Sequence, residues 1–173
     1  MPQDLATLLT GSRFRVVRVE EPRRDGNMGT REVVRHPGAV TILPLLDDGS
    51  VCLIRNYRVA IDETLVELPA GTLEPGEDPM LTAQRELQEE TGYRASQWKA
   101  LRTFVLSPGI LDEVMHLYLA TGLTAGPANR EPGEQIENLI VSWDDAISRV
   151  ADGTIRDAKT IVGLLSYDRW GPP

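Results

Sequence analysis

Residues 71–93, GTLEPGEDPMLTAQRELQEETGY, constrain the fold of this chain more than any other stretch. Pro79 suits the first turn of a helix, where no N–H is needed, and Gly92 suits the left-handed turn that ends one. A helix is therefore expected from 79 to about 91. At about 100° per residue, Met80, Ala83, Leu87 and Thr91 share one narrow stripe, so this helix lies on an apolar core. Glu86, Glu89 and Glu90 fall within roughly 100° of arc beside that stripe rather than opposite it. The segment also carries Glu74, Glu77 and Asp78, with Arg85 as its one cation. Like charges at such spacing repel by only about 0.2–0.5 kcal/mol a pair on a solvated helix. Two readings stand: a solvated acidic face with one Arg85–Glu89 pair, or a site that takes a cation at the edge of the core.

The flanking sequence supplies that core. FRVVRVEEP and TREVVRHP are short and β-branched, and Asp25-Gly26 between them signals the turn of a hairpin ahead of the main body. GAVTILPLL and SVCLIRNYRV follow, joined by Asp47-Asp48-Gly49-Ser50, a second hairpin signal. TLVELPAG is a short strand leading into the acidic segment. WKALRTFVL and EVMHLYLAT read as strands around Ser107-Pro108-Gly109, and TAGPANREPGEQ reads as a loop. IENLIVSW is a strand, WDDAISRVADG a short helix and RDAKTIVGLLSYDRW a last amphipathic one. Strands and helices interleave without regular βαβ alternation, so an α+β fold with a mixed sheet is expected in preference to a doubly wound one. At 173 residues the chain fits one domain with a sizeable core.

Charge and composition narrow the function. A net charge of -8 leaves no general basic surface for nucleic acid. No apolar run reaches the length of a membrane span, and the first residues lack the pattern of a signal peptide. The single Cys52 cannot form an internal disulfide and lies in an apolar strand, which predicts a small buried residue in a cytoplasmic protein. The two histidines, His36 and His116, read as structural.

The spacing of Gly71, Glu77, Arg85-Glu86-Leu87, Glu89-Glu90 and Gly92 resembles the Nudix hydrolase signature over 23 of the 173 residues. It departs at Tyr93, where the family usually has an aliphatic residue. The resemblance implies a Nudix-type mixed β-sheet sandwiched between helices over residues 37–173, preceded by an antiparallel β extension over 1–36. It further implies metal binding by Glu86, Glu89 and Glu90 with the Ala70 carbonyl. Mg²⁺ is the expected ion, with Mn²⁺ or another divalent ion as a substitute. Hard divalent ions take carboxylate oxygens beside substrate phosphate, neutralise and orient a pyrophosphate, and activate water for attack. Arg85 is expected to have a separate role, as a fixed cation that orients Glu89 or a neighbour in the loop, with Glu77 able to pair with it.

LIRNYR and ELPAGTLEPGED, followed by SPGILDE with Pro108 sixteen residues after Gly92, resemble the ADP-ribose pyrophosphatase branch over roughly residues 40–143. Branches acting on GDP-mannose or UDP-sugars share much of this pattern. The implied reaction is hydrolysis of the pyrophosphate bond of a nucleoside diphosphate sugar, first ADP-ribose to AMP and ribose 5-phosphate. The alternatives are a GDP-mannose or other nucleotide-sugar pyrophosphatase, and a non-catalytic sensor that keeps the fold. By the same resemblance Arg58 contacts substrate phosphate, and Glu113 contacts substrate or shapes its loop. The base is Glu134 in EPGEQIEN, with Glu137 and Glu131 as rivals, since a carboxylate near a metal is suited to take a proton from water. The resemblance also implies a homodimer whose N-terminal extension exchanges between subunits and helps form the adenosine pocket, with Phe14, Arg31 and Glu32 as its candidates.

Overall fold

Ten strands and three α-helices form among the residues described by the computed structural model, which are 3–130, 133 and 135–171. Strand β4 (Ala39–Pro44) is buried at every position, as its apolar run, broken only by Thr41, requires. It belongs to a four-stranded mixed sheet, parallel to β9 (Val114–Ala125) and antiparallel to the short β7 (Ala70–Thr72). The outer strand β8 (Tyr93–Val105) pairs antiparallel with β9. A second, antiparallel sheet has β5 (Val51–Arg58) between β10 (Ile136–Val141) and β6 (Glu63–Glu67).

Alternation along β4 sends Val40 and Ile42 to one face and Leu43 to the other. Helix α1 (Pro79–Glu86) covers the first face, where Ala83 and the following Leu87 meet Val40, Ile42, Tyr118 and Ala120. Helices α2 (Trp143–Ala151) and α3 (Ala158–Trp170) cover the second, where Leu43, Leu53, Leu68, Leu117 and Leu164 are buried. The mixed sheet is thus sandwiched between helices, the α+β arrangement expected. Cys52 is fully buried in this interior, and burial pushes its thiol up to about 12, far from a reactive thiolate. Among the described residues no helix is long and apolar enough to cross a membrane.

Two features depart from the sequence pattern. The N-terminal extension has three strands, not two: β1 (Asp4–Thr10) pairs antiparallel with β2 (Arg15–Pro22), which pairs with β3 (Met28–Arg35). Every residue of β1 is exposed and its pairing slips twice, so no period-2 burial marks it in the sequence. The extension joins the body where Arg35 meets Asp112 at 3.0 Å and the His36 N–H donates to the same carboxylate at 2.8 Å. The second departure is the end of α1. Its α-geometry stops at Glu86, and Leu87–Thr91 form a π-helical turn closed by Gly92 at φ 80°. Such turns are rare and frequent at functional sites.

Candidate active site

The site is built where β7 meets the far end of α1. From β7 the chain runs through a turn, in which the Glu77 N–H donates to the Glu74 carbonyl at 3.0 Å, to Asp78. Asp78 caps α1 by accepting from the Met80 N–H at 2.8 Å, and Pro79 starts the helix. This brings Glu86 and Glu90 back against β7. The Ala70 N–H donates to Glu90 Oε2 at 2.9 Å, and Glu90 is only 3% exposed. Glu86 lies directly over Gly71, so close that a Cβ there would sit 1.9 Å from Glu86 Cδ. Gly71 is required for space.

Arg85 is the hub of the acidic cluster. Its Nη1 donates to Glu86 Oε1 at 2.8 Å and to Glu89 Oε2 at 2.9 Å, while Nε and Nη2 each reach Glu77 at 3.2 Å. Burial opposes the guanidinium charge, but the hydrogen bond to Glu77 and the charge of Glu86 outweigh it and raise the pKa above its ordinary value. In return Arg85 holds the Glu77 carboxyl at about 2. Glu86, Glu89, Glu90 and Ala70 all line one cleft of about 630 Å³. Three carboxylates against one guanidinium leave this wall negative, the donor chemistry that a hard divalent cation takes. Among the described residues, however, no three His, Cys, Asp or Glu side chains are grouped at ligand spacing. Arg85 stands between Glu86 and Glu89, and Glu90 faces the Ala70 N–H. Glu77 also holds Arg85, so Arg85 would keep a partner if Glu86 and Glu89 turned to a cation.

The rest of the cleft carries an excess of basic side chains. Arg13, Arg15, Arg35, His36 and Arg58 line it together with Phe14. Arg58 grips Glu67 with two hydrogen bonds, Nε to Oε1 at 2.7 Å and Nη2 to Oε2 at 2.5 Å, and leaves 40% of its side chain exposed. Glu67 is fully buried; burial raises its pKa, but Arg58 and Lys159 outweigh that and hold it below the usual carboxylate range. Glu113 does not line the cleft among the described residues. Its carboxylate lies 3.5 Å from His36 Nδ1, beside a residue that lines the cleft. Of the three candidates in the extension, Phe14 reaches the cleft. Arg31 instead pairs with Glu21 at 2.6 Å and Glu32 with Arg18 at 3.2 Å. Residues 10–15 line the cleft of their own chain, so lining it requires no exchange between subunits.

Glu134 and its rival Glu131 lie outside the described residues. Glu137 sits in β10 opposite Arg55 and, among the described residues, does not line the cleft. The chain on both sides of this loop is fastened to the π-helical turn. The Asn129 N–H donates to the Glu89 carbonyl at 3.0 Å, Arg130 Nε to the Glu90 carbonyl at 3.0 Å, and Asn138 Nδ2 to the Thr91 carbonyl at 2.8 Å. Sequence reasoning passes over Arg130, Asn138 and Arg35, because each acts through a partner distant in the chain. The runs RFR and RHP lie far apart in the sequence and are brought together only by the pairing of Arg15 with Arg35.

Comparison with known proteins agrees with this geometry. A family model described as NUDIX domain matches residues 35–162. The chain is 41% identical over 142 residues to an ADP-ribose pyrophosphatase of Bacillus subtilis, covering 81% of this chain and 77% of that one. It is 39% identical over 142 residues, with the same coverage of 81% and 77%, to a methanol dehydrogenase activator of Bacillus methanolicus. Among solved structures, an ADP compounds hydrolase superposes with a TM-score of 0.83 at 23% identity, over 98% of this chain and 93% of that one.

Proposed function

The chain belongs to the Nudix family and is a Nudix pyrophosphohydrolase, and on that premise we propose that it hydrolyses ADP-ribose to AMP and ribose 5-phosphate. The observation that carries this reading is one cleft lined both by acidic residues, Glu86, Glu89 and Glu90, and by basic ones that include Arg58 and Arg15. A pyrophosphate between two organic groups is the ligand that needs both, with cations against the first set and phosphate oxygens against the second.

Nudix hydrolases use divalent metal ions; here the proposed ion is Mg²⁺, which Glu86, Glu89, Glu90 and the Ala70 carbonyl would hold and which would neutralise and orient the pyrophosphate. Arg58 binds a phosphate oxygen with the part of its guanidinium turned to the cleft. Phe14 offers an aromatic face to the base. Arg85 orients Glu89. Water attacks one phosphorus, the bridging P–O bond breaks, and Glu134 takes the proton. Residues 1–36 form a unit whose β1 presents Leu5, Leu8 and Leu9, each about half exposed, and a second subunit covers that strand in the proposed homodimer. Light scattering at twice the 19.1 kDa chain mass supports the dimer, and a single-chain mass removes it. The cytoplasm supplies the reducing environment suited to a free cysteine.

The test is a panel of ADP-ribose, GDP-mannose and UDP-sugars with saturating Mg²⁺, the products being separated by chromatography. AMP and ribose 5-phosphate should appear fastest. A higher kcat/KM for GDP-mannose shifts the substrate to the shared alternative. Failure to cleave any of them with Mg²⁺ or Mn²⁺ leaves the non-catalytic sensor.

A further inference from the structure

Behind the basic wall lies a charged cluster that the proposed reaction does not use. Glu67 is fully buried at the end of β6, and Lys159, 7% exposed in the first turn of α3, places its Nζ on Glu67 Oε2. The same oxygen accepts from Arg58 Nη2 at 2.5 Å, and the other accepts from Arg58 Nε at 2.7 Å. Lys159 is also 3.0 Å from Asp157 Oδ2, but that oxygen is the cap of α3, accepting from the Thr160 N–H at 3.0 Å and its hydroxyl at 2.6 Å. The Thr160 hydroxyl in turn accepts from the Leu68 N–H at 2.8 Å. One turn of α3 thus grips Glu67 and Leu68, shortly before Ala70 in the chain.

We propose that Lys159 is a positioning residue for the reaction, sharing the Glu67 carboxylate so that Arg58 stays aimed into the cleft with charge to offer a phosphate. The reason is electrostatic. A buried carboxylate with one cationic partner draws that partner in, because the uncompensated charge is costly away from water. With two partners, Glu67 is satisfied from the side of α3, and the Arg58 guanidinium keeps its exposed edge toward the cleft. Remove the Lys159 charge and Glu67 claims Arg58 for itself. Substrate binding then weakens while the acidic wall, which carries the chemistry, is untouched. This rests on Arg58 contacting phosphate.

The experiment is a double-mutant cycle on the full chain with ADP-ribose and Mg²⁺, using Lys159→Met, Arg58→Met and the pair. Lys159→Met should raise KM roughly tenfold with kcat nearly unchanged, a mid-range coupling for members of one ion-pair network. In the Arg58→Met background the same change should leave KM where it was. Lys159→Arg, which restores the charge, should return KM toward wild type, an outcome a purely structural role for the methylene stem does not require. Should Lys159→Met fail to fold, Lys159→Gln keeps a donor to Glu67 without the charge and carries the same expectation. An unchanged KM, or equal KM increases with and without Arg58, overturns the proposal while leaving the phosphate role of Arg58 standing. If Arg58→Met itself leaves KM unaltered, the role of Arg58 falls and takes this inference with it.

Discussion

Gly71→Ala separates a working acidic wall from an acidic helix that merely happens to be there. An added Cβ would stand 1.9 Å from Glu86 Cδ, 2.0 Å from its Oε1 and 2.4 Å from its Cγ. Carbon atoms rest about 3.5–4.0 Å apart, so Glu86 must swing away by more than an ångström. What yields is the end of a flexible side chain, not backbone, and an off-rotamer adjustment costs about 0.5–1.5 kcal/mol. At about 2–4 °C of melting temperature per kcal/mol for a domain of this size, the midpoint should fall by only a few degrees. Catalysis should suffer far more. Glu86 loses its place beside Arg85 and Glu89, and a misplacement of about 1 Å in a catalytic group can reduce rate by about 10²-fold. We therefore expect kcat/KM for ADP-ribose to drop about 100-fold with Mg²⁺, and Mn²⁺ affinity by calorimetry to weaken in parallel, with a nearly normal thermal transition. Wild-type kcat/KM with unaltered Mn²⁺ binding would show that Glu86 has no function at that wall. A collapse of the melting temperature would show that the contact is structural.

Other perturbations test neighbouring parts. Glu90→Gln keeps an acceptor for the Ala70 N–H and removes the charge, so turnover should fall by orders of magnitude with the melting temperature near wild type; stability loss without specific rate loss counts against a ligand role. Glu134→Gln should lower kcat far more than it alters KM, as expected for a base that acts in the transition state, and a mild Glu134→Gln beside a damaging Glu137→Gln would move the role by three residues. The Glu77 carboxyl, held at about 2 against an ordinary 4.5 by Arg85, adds stability that is complete above pH 4.5 and disappears as pH falls toward 2. The melting temperature of the wild type should therefore drop more steeply across that window than that of Glu77→Gln, and parallel curves would mean that the pair contributes nothing.

The acidic wall was legible in the sequence because its determinants are local. Gly71, the Asp78-Pro79 start, the Ala83 and Leu87 stripe and the Gly92 stop each act within a few residues, and each is found where the pattern predicts. The basic wall was legible only at Arg58, and there through a resemblance rather than through local pattern. Arg35 is fixed by Asp4 and Asp112, and Arg58 by Glu67 and Lys159, contacts that span the chain and leave no periodic mark. The first strand was hidden for a related reason: a strand exposed along its whole length has no buried face to set an alternation.

The π-helical turn shows how the two kinds of information meet. Extrapolated at about 100° per residue, an unbroken α-helix would stack Glu86, Glu89 and Glu90 in one arc, each repelling the next. The wider turn gives them different partners: Glu86 and Glu89 share Arg85, and Glu90 turns inward to the Ala70 N–H. Nothing in residues 87–91 alone demands this geometry. The carbonyls of Glu89, Glu90 and Thr91 are claimed by Asn129, Arg130 and Asn138, and Arg130 places its cation at the negative end of the helix. Gly92 allows the approach, since a Cβ there would stand 2.3 Å from the Gly126 carbonyl oxygen. The turn that carries the carboxylates is therefore tied to the chain on both sides of the loop that contains Glu134. Local sequence decides which acids stand at the wall, and contacts distant in the chain hold the backbone that bears them.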